Sequence, residues 1–301
     1  MIAPRRFLPS ISSLLALEAL ERLGSVNAAA ADLSLTHSAI SRQLKILQDQ
    51  IGVELFHRRG KGVVLTRPGS DYAHSVRDCL QDLAKASLKV RAAGAKLSLD
   101  LAIKPAFGMT WLAPRLRDFS RLHQDITINL STRLGSVDFR RDGFDAALHF
   151  GLRDWPDVDY LPLATESVIP VCSPMLLDGD QMPTIEDLLR LPLLHLENRP
   201  GAWEQWFESH GFQAMGLRGM LFDQFSTMAE AAALGFGVAL LPDFLAKKQI
   251  ADGRLVAAWK DYALSQGVYH LVWPSNRKAE KPLELLNELL RRETKNAPKC
   301  P

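Results

Sequence analysis

The hydrophobic pattern of residues 28–47 predicts two short helices joined by a polar turn. The alanines at positions 28–31 are small enough to let two helices approach closely. The turn falls around Ser34, and Thr36 stands where a second helix needs an N-cap hydroxyl. From Ser38 to Leu47 the apolar residues recur at spacings of four and three, as on the buried stripe of a helix. The pattern therefore predicts a helix-turn-helix.

The other face of this second helix carries short polar and cationic side chains, which suit contacts with base edges and phosphates. A recognition helix presents its N-terminal residues to the major groove, and this polar set lies at that end. We predict DNA contacts from this face through His37, Ser38, Ser41, Arg42 and Lys45, and also from the N-cap Thr36 and from Ser25 earlier in the chain. The alternative is an ordinary helical hairpin with a solvated face.

A cationic turn, HRRGKG at residues 57–62, follows between two short apolar segments. Gly52 fits the end of the preceding helix. The order predicts a wing whose cations reach phosphates or the minor groove, although a charge run can also be a solvated loop. The wing candidates are Arg58, Arg59, Lys61 and Arg67.

A long helical pattern runs from Ser70 to about Ala93, and Gly94 is expected to end it. Apolar and small residues alternate along it at spacings of three and four, as in a coiled coil. This seam consists of Ala73, Val76, Leu80, Leu83, Ser87 and Val90. We predict that the seam is a dimer contact; the alternative is a face that packs on the helix's own domain.

From Ser98 onward, strand and helix patterns alternate, which indicates a parallel or mixed α/β sheet. The first run has predicted strands at 99–103, 126–130 and 146–150, with helices at 110–122 and 136–141. A second run continues the alternation in segments 168–172, 185–191, 193–196, 202–211, 218–222, 227–234, 238–241 and 268–273. A terminal helix is predicted at 281–293.

The chain is long enough to form at least two hydrophobic cores, and its cationic residues are distributed unevenly. The 301 residues carry a net charge of only +2, but residues 1–67 hold nine Lys and Arg against five Asp and Glu. Three cysteines (Cys79, Cys172 and Cys300) form no even disulfide framework and no CxxC motif, so we expect no disulfide, no metal and no cofactor. With no signal peptide and no apolar run of membrane length, we expect a cytoplasmic protein.

The segment from Leu17 to Gly69 resembles, without a gap, the winged-helix domain of LysR-type transcriptional regulators. The resemblance is carried by Gly24-Ser25, Ala28-Ala29, Leu33, Ser38-Ala39-Ile40-Ser41, Leu44, Leu47, Gly52, Leu55-Phe56 and Leu65-Thr66. Gln48 departs from it, since the family usually has Glu there. The resemblance implies that the long helix pairs two DNA-binding domains, in a homodimer that assembles further into a homotetramer.

Short sequence motifs in the rest of the chain resemble the branch of this family that contains the glycine-cleavage activator and the β-lactamase regulator. They include Pro105-Ala106-Phe107, Trp111-Leu112-Ala113-Pro114-Arg115-Leu116, Val137-Asp138-Phe139, Trp155-Pro156, Pro170-Val171-Cys172-Ser173-Pro174, Pro192-Leu193-Leu194-His195 and Gly235-Phe236-Gly237-Val238-Ala239-Leu240. The implied fold is a multidomain α+β chain, with an effector domain of two Rossmann-like subdomains built as in periplasmic binding proteins.

This resemblance sets the expected domain limits. A winged helix-turn-helix domain occupies 1–67, a linker helix 68–95 and the effector-binding domain 96–301. Within the last, subdomain I comprises 96–165 and 267–301 and subdomain II comprises 166–266, with crossings near Thr165 and Gln266.

Effectors of such folds bind at the carboxyl ends of strands, where helix N-termini point N–H groups at the site. The candidates are Lys104, Ala106, Phe107, Thr110, His149, Asn198, Phe225, Ser226, Thr227 and Tyr269, with Arg199 and His270 nearby. Lys104 favours an anionic effector such as a carboxylate, although it can equally be a solvent-facing lysine. Related proteins often have a hydroxyl residue in place of Ala106 and Arg in place of His149, which can also be a core or surface histidine.

An enzyme is the main competing class, because Cys172 and His195 offer a nucleophile and a base. Cys172 lies in an apolar strand, where a buried inert thiol is the usual state. GxSxG, HExxH and Walker motifs are absent, and GFGVAL lacks the third glycine of a dinucleotide site. A solute-binding module without regulation would not need the segment from Ala28 to Arg67. We therefore expect a sequence-specific transcriptional regulator, and not an enzyme.

Overall fold

The computed structural model describes residues 4, 7–60, 62–94, 97–177, 182–276 and 280–296 of the chain. It divides into two compact units, Met1–Gly94 and Ala95–Pro301. Each unit has its own buried apolar clusters.

The first unit is a three-helix cluster followed by a two-stranded hairpin and a long helix. Its elements are α1 (Ile11–Leu23), α2 (Val26–Asp32), α3 (His37–Ile51), β1 (Phe56–Arg59), β2 (Gly62–Leu65) and α4 (Arg67–Ala93). The core between the helices includes Leu17, Leu20, Ile40, Leu44 and Leu47, each at most 2% exposed. Small residues at the α2 contact, Ala29 and Ala30, are buried as well, so the helices can pack closely.

Local capping sets the limits of these helices. The Thr36 hydroxyl accepts from the Ala39 N–H at 3.2 Å, so α3 begins at His37, one residue before the predicted start. The helix ends at Ile51, beyond the predicted Leu47, because Gly52 adopts the left-handed conformation with φ +76°. Ser34 is also left-handed, with φ +54°, and turns the chain between α2 and α3.

The long helix α4 starts at Arg67, three residues before the predicted Ser70, because Thr66 caps it through the Gly69 N–H at 3.1 Å. Its predicted seam divides into two parts. Ala73 and Val76 are buried in the core of the first unit, whereas Leu83 and Val90 are 49% and 73% exposed. The first part of the seam therefore packs on its own domain, and the second does not.

The second unit is a mixed sheet with helices on its faces. Its strands are β3 (Leu97–Ile103), β4 (Ile126–Thr132), β5 (Ala146–Gly151), β6 (Val158–Cys172), β7 (Leu193–Leu196), β8 (Leu221–Phe222), β9 (Val238–Pro242), β10 (Val256–Ala257) and β11 (Ala263–Pro274). Its helices are α5 (Pro105–Phe107), α6 (Ala113–Leu122), α7 (Phe139–Asp142), α8 (Ile185–Arg190), α9 (Ala202–Ser209), α10 (Phe225–Ala233), α11 (Asp243–Ala251) and α12 (Lys281–Asn296). The described strands follow the order β4-β3-β5-β11-β6-β9-β7-β8, and β10 pairs with β6.

Two long antiparallel strands, β6 and β11, join the halves of this sheet. The predicted strands 168–172 and 268–273 are only parts of them, because polar residues and Pro162 interrupt the apolar pattern of β6. β11 pairs with β5 on one side and with β6 on the other. The register between β6 and β11 shifts twice, between the Leu264 and Val268 pairs, beside Thr165, and again between the Tyr269 and His270 pairs.

Other elements differ from the sequence prediction for local reasons. The predicted helix 110–122 is a π turn, Gly108–Leu112, followed by α6; Pro114 has no N–H to donate, and the Ala113 N–H reaches back to Gly108. The predicted helix 136–141 is displaced to α7, where the Asp138 carboxylate accepts from the Arg140 and Arg141 N–H groups. Helix α11 and strand β10 were not predicted; in α11 only Ala246 is fully buried, and its larger apolar residues Phe244, Leu245 and Ile250 are partly buried.

The second unit has separate apolar cores in the two halves of its sheet. One includes Leu101, Phe119 and Leu286. The others include Leu194, Met228 and Leu241, and Trp203, Trp206 and Phe207. No helix among the described residues combines the length and apolarity that a membrane crossing requires.

Candidate DNA-binding surface and effector cavity

The outer face of α3 brings the predicted polar residues together. His37, Ser38, Arg42 and Lys45 are exposed and Ser41 is half-buried, opposite the buried stripe of the helix. The Thr36 and Ser38 hydroxyls lie 3.0 Å apart at its N-terminus. The face thus presents donors and acceptors at the end of the helix that a recognition helix inserts into a groove.

Ser25 caps a neighbouring helix. Its hydroxyl accepts from the Ala28 N–H at 3.1 Å, at the N-terminus of α2. The Ser25 side chain is exposed. A phosphate oxygen is a chemically suitable partner for such a helix end.

The predicted wing is a hairpin of β1 and β2 that turns at Gly60, where φ is +62°. The Gln48 side-chain oxygen accepts from the Leu55 N–H at 3.0 Å and holds the start of β1 to the end of α3. Gln48 can therefore provide the acceptor that the family's glutamate would also offer. Arg58 is exposed on β1; Lys61 and the side chain of Arg59 lie outside the described residues.

The charges of this unit divide into paired and unpaired groups. Arg22 pairs with Asp32 at 2.7 Å, and Arg77 bonds to Glu18 and Glu21. The predicted DNA-binding cations Arg42, Lys45, Arg58 and Arg67 form no ion pair with any described residue and are exposed. The unpaired cations therefore remain available to phosphates.

The second unit contains a cavity of about 240 Å³ at the carboxyl ends of β3, β7 and β8. We refer to it as the effector cavity. Of the ten effector candidates, eight line it, and Arg199 joins them. The eight are Lys104, Ala106, Phe107, His149, Asn198, Phe225, Ser226 and Tyr269.

Thr110 and Thr227 are not among the lining residues. The Thr110 hydroxyl donates to the Ala106 carbonyl within its own helix at 2.7 Å. Thr227 is exposed, and its hydroxyl donates to the Gln224 carbonyl at 2.9 Å. Both hydroxyls are thus bonded to backbone carbonyls of their own helical segments.

Lys104 follows directly after β3 and extends along the cavity wall. Its ammonium group donates to the carbonyl oxygens of Leu134 and, at 3.4 Å, Gly135. It has no carboxylate partner among the described residues. Burial lowers the pKa of Lys104, and the positive charge of Arg199 lowers it further. Asp223 also lines the cavity, but no ion pair joins its carboxylate to Lys104 among the described residues.

Arg199 forms an ion pair with a buried acid, Glu166, that was not predicted from the sequence. The Glu166 side chain is 1% exposed, and Arg199 pairs with it at 2.7 Å and 3.3 Å. The Tyr269 hydroxyl donates to the same carboxylate at 2.7 Å. Burial is the main cause that holds the pKa of Tyr269 well above its usual range, and the negative charge of Glu166 raises it further. Arg199 and Glu166 therefore neutralise each other.

Aromatic rings form the apolar part of the cavity. Phe107 stacks on Tyr269 with ring centroids 3.8 Å apart, and the Arg199 guanidinium lies 3.3 Å from the Phe150 centroid and 5.6 Å from that of Phe225. Such planar stacking orients the guanidinium. The cavity combines flat apolar walls with a few convergent polar groups, as small-molecule sites do.

His149 is 6% exposed and lies on the strand β5 that pairs with β11. Its Nε2 donates to the Leu152 carbonyl at 2.6 Å and lies 3.2 Å from an Asp154 carboxylate oxygen. His270 lies opposite His149 on the neighbouring strand β11. Burial is the main cause that lowers the pKa of His270, and electrostatic repulsion from His149 lowers it further. The histidine is thus both a core residue and part of the cavity wall.

The cysteine that suggested a nucleophile lies in the core. Cys172 is fully buried, and burial raises the pKa of its thiol to about 11, so little thiolate forms at neutral pH. Gly237, in the glycine-rich phrase, packs so closely that a β-carbon would collide with the Pro192 carbonyl oxygen. Among the described residues, no three His, Cys, Asp or Glu side chains cluster to hold a metal.

Two family profiles match the chain. Residues 11–70 match the family described as "Bacterial regulatory helix-turn-helix protein, lysR family", and residues 92–295 match the "LysR substrate binding domain". The chain therefore belongs to the LysR family: it is a DNA-binding transcriptional regulator with a C-terminal effector-binding domain, and not an enzyme. LysR regulators bind DNA and small-molecule effectors and are multimeric.

Individual relatives confirm the resemblance to one branch of the family. The HTH-type transcriptional regulator TrpI of Pseudomonas aeruginosa is 39% identical over 258 residues, covering 84% of this chain and 88% of TrpI. The glycine cleavage system transcriptional activator of Escherichia coli is 33% identical over 267 residues, covering 88% and 87%.

Solved structures agree with the fold. The AmpR effector binding domain from Citrobacter freundii has a TM-score of 0.58 at 28% identity, covering 65% of this chain and all (100%) of that one. Full-length HypT from Salmonella has a TM-score of 0.66 at 20% identity, covering 96% and 99%, and supports the fold alone. The predicted fold class, a winged helix-turn-helix with an α/β effector domain, is confirmed.

Proposed function

We propose that this regulator reads its operator with the polar face of α3 and the cations around the wing. The exposed, unpaired Arg42, Lys45, Arg58 and Arg67 support this assignment. α3 would contact base edges, and the wing cations would contact phosphates or the minor groove. We further propose that the protein works in the cytoplasm, where its DNA target would be.

The domain limits proposed from the sequence are supported by separate cores on either side of the shift between β6 and β11. We propose that effector binding changes the relative populations of two arrangements of these subdomains. In a dimer or tetramer, this would change the spacing of the DNA-binding pairs and hence the bending of the DNA.

We propose that the effector is a small anion, such as a carboxylate, with an apolar part. The single observation that carries this proposal is Lys104, a half-buried cation on the cavity wall without a carboxylate partner among the described residues. Arg199 adds no net charge, because Glu166 neutralises it. The stacked rings of Phe107 and Tyr269 suit a flat apolar group.

Titration calorimetry with phenylacetate and its neutral analogue phenylacetamide tests the anion proposal. In Lys104→Met, phenylacetate should bind about tenfold to a hundredfold more weakly, since a charged hydrogen bond contributes about 1.5–3 kcal/mol. The affinity for phenylacetamide should not change, and Lys104→Arg should keep most of the affinity for the anion. Equal losses for both ligands would contradict the role of charge.

A gel-shift with DNA from upstream of the protein's own gene tests the DNA proposal, with random duplex as competitor at physiological salt. We expect a complex that random duplex does not remove. If random duplex competes equally, the chain has no specific site in that DNA.

A further inference from the structure

A second cavity, of about 130 Å³, lies beside the effector cavity in the same unit. β6, β7, α9, α10, β9 and β11 contribute to its walls. Leu196, Arg199 and Phe225 line both cavities. Apart from Glu166, which pairs with Arg199, the other wall residues of the second cavity have no part in the function proposed above.

The walls of this second cavity are mostly apolar. They include Leu194, Trp203, Trp206, Met228 and Leu240, each at most 6% exposed. A cavity of about 150 Å³ with such a lining is large enough for one benzene-sized molecule. The second cavity is therefore of a size for a single ring or a short branched chain.

Two buried polar atoms on these walls have no hydrogen-bond partner among the described residues. They are Nε2 of His195 and Nε1 of Trp206, a side chain that is 2% exposed. The neighbouring Trp203 is satisfied, because its Nε1 donates to the Leu194 carbonyl at 2.9 Å. An unpaired buried polar atom is destabilising, and an occupant with a hydrogen-bonding group would remove that penalty.

The charged side chains on the walls of this second cavity are already paired with each other. Glu166 lines it, but Arg199 and Tyr269 bond to its carboxylate. Arg199 is neutralised in the same pair. In contrast to Lys104 in the effector cavity, no charge on the described walls remains for an ionic ligand.

We propose that the second cavity is a separate binding site for a small neutral molecule, with an aromatic or compact apolar body and one hydrogen-bonding group that pairs with His195. The site differs from the effector cavity in both size and charge. It does not depend on the identity of the effector.

Phenol and toluene are matched probes for this site, because a hydroxyl in one replaces a methyl group in the other. Ligand-observed NMR titrations on the full chain should give saturable phenol binding with a Kd of about 1 mM or below. Toluene should bind about fivefold more weakly, as one lost hydrogen bond predicts. In His195→Phe, the preference for phenol should disappear.

Substitution of three alanines by leucine gives matched variants that distinguish the two cavities. Ala202 lines only the second cavity, Ala106 lines only the effector cavity, and Ala214 lines neither but packs on the same apolar cluster as Ala202. Ala202→Leu should weaken phenol binding at least about tenfold, because its side chain occupies ligand space. Ala106→Leu and Ala214→Leu should leave it within about twofold.

Several results would overturn the proposal. They are the absence of saturable phenol binding, loss of binding in Ala106→Leu, and equal losses in Ala202→Leu and Ala214→Leu. Melting temperature and DNA gel-shift check the fold of each variant, and the His195→Phe comparison remains decisive if Ala202→Leu does not fold. The phenylacetate titration of Lys104→Met reports separately on the effector cavity.

Discussion

At the scale of single residues, Glu166 is the buried acid that holds Arg199 and Tyr269 at the wall of the effector cavity. Its carboxylate is almost fully buried and receives hydrogen bonds from Arg199 and Tyr269. Removing such a charge from water costs several kcal/mol unless the partners satisfy it. The three residues thus stabilise one another and hold β6, β11 and the segment after β7 in a single arrangement.

Replacing Glu166 with alanine should lower the free energy of unfolding by about 3 kcal/mol, because it leaves Arg199 and the buried Tyr269 hydroxyl without their partner. Urea unfolding of the full chain measures this. Only the transition of the unit that contains residues 95–301 should move.

The control for this prediction is Glu288→Ala. Glu288 is 67% exposed and lies 3.9 Å from Arg292 in a surface pair, so its loss should cost at most about 0.5 kcal/mol. Equal effects of the two substitutions would show that the buried network contributes no more than a surface pair.

At the scale of elements, α3 shows how a helix separates packing from recognition. Ile40, Leu44 and Leu47 fix it in the core, so its exposed side chains have a defined direction. Arg42 lies on that face without an acidic partner among the described residues. A guanidinium there has the donors for a bidentate contact with guanine.

Arg42→Ala should reduce the discrimination between operator and random DNA by about 1–3 kcal/mol, the usual value of a good base contact. Fluorescence anisotropy with both DNAs, at several salt concentrations, measures it. If Arg42→Ala bound both DNAs as the wild type does, α3 would not be the recognition helix.

Arg58→Ala and Arg91→Ala are the comparisons for Arg42→Ala. Arg58→Ala should weaken binding to both DNAs alike and reduce the salt slope by about 0.9, as the loss of one phosphate contact predicts. Arg91, an exposed arginine near the end of α4, is outside the proposed surface, and its removal should change neither quantity.

The elements also show where prediction from sequence succeeds. α3 was predicted closely because its cap, its apolar spacing and Gly52 are all local signals. β6 was predicted only in its last third, since a strand paired on both sides can include polar residues such as Thr165 and Glu166. Its partners β9 and β11 lie far along the chain, and local pattern does not report them.

At the scale of the whole molecule, the outer part of α4 implies assembly. Leu83 and Val90, one heptad apart on the predicted seam, are 49% and 73% exposed on a helix of 27 residues. Apolar side chains at coiled-coil spacing are stable in water when a second helix covers them. This agrees with the multimeric character of the family and with the dimer that we propose.

The double substitution Leu83→Asp and Val90→Asp should shift the dimer towards monomer, because it puts like charges into the proposed contact. Sedimentation velocity over a range of concentrations measures the shift. Leu152→Asp, at a residue 74% exposed in the second unit, is the control and should leave the assembly unchanged. An unchanged dimer in the double variant would place the contact elsewhere.

The sequence by itself determined the family, the helix-turn-helix and most residues at the strand ends around the effector cavity. These depend on short-range signals: caps, apolar spacing, and side chains that follow a strand directly. Only the tertiary structure revealed the second cavity and the pairing of Glu166 with Arg199 and Tyr269, which are 33 and 103 residues away from it. The physical reason is that a buried charge is defined by partners that meet only when distant strands pair, and a glutamate in a strand looks, in sequence, like any solvent-facing residue.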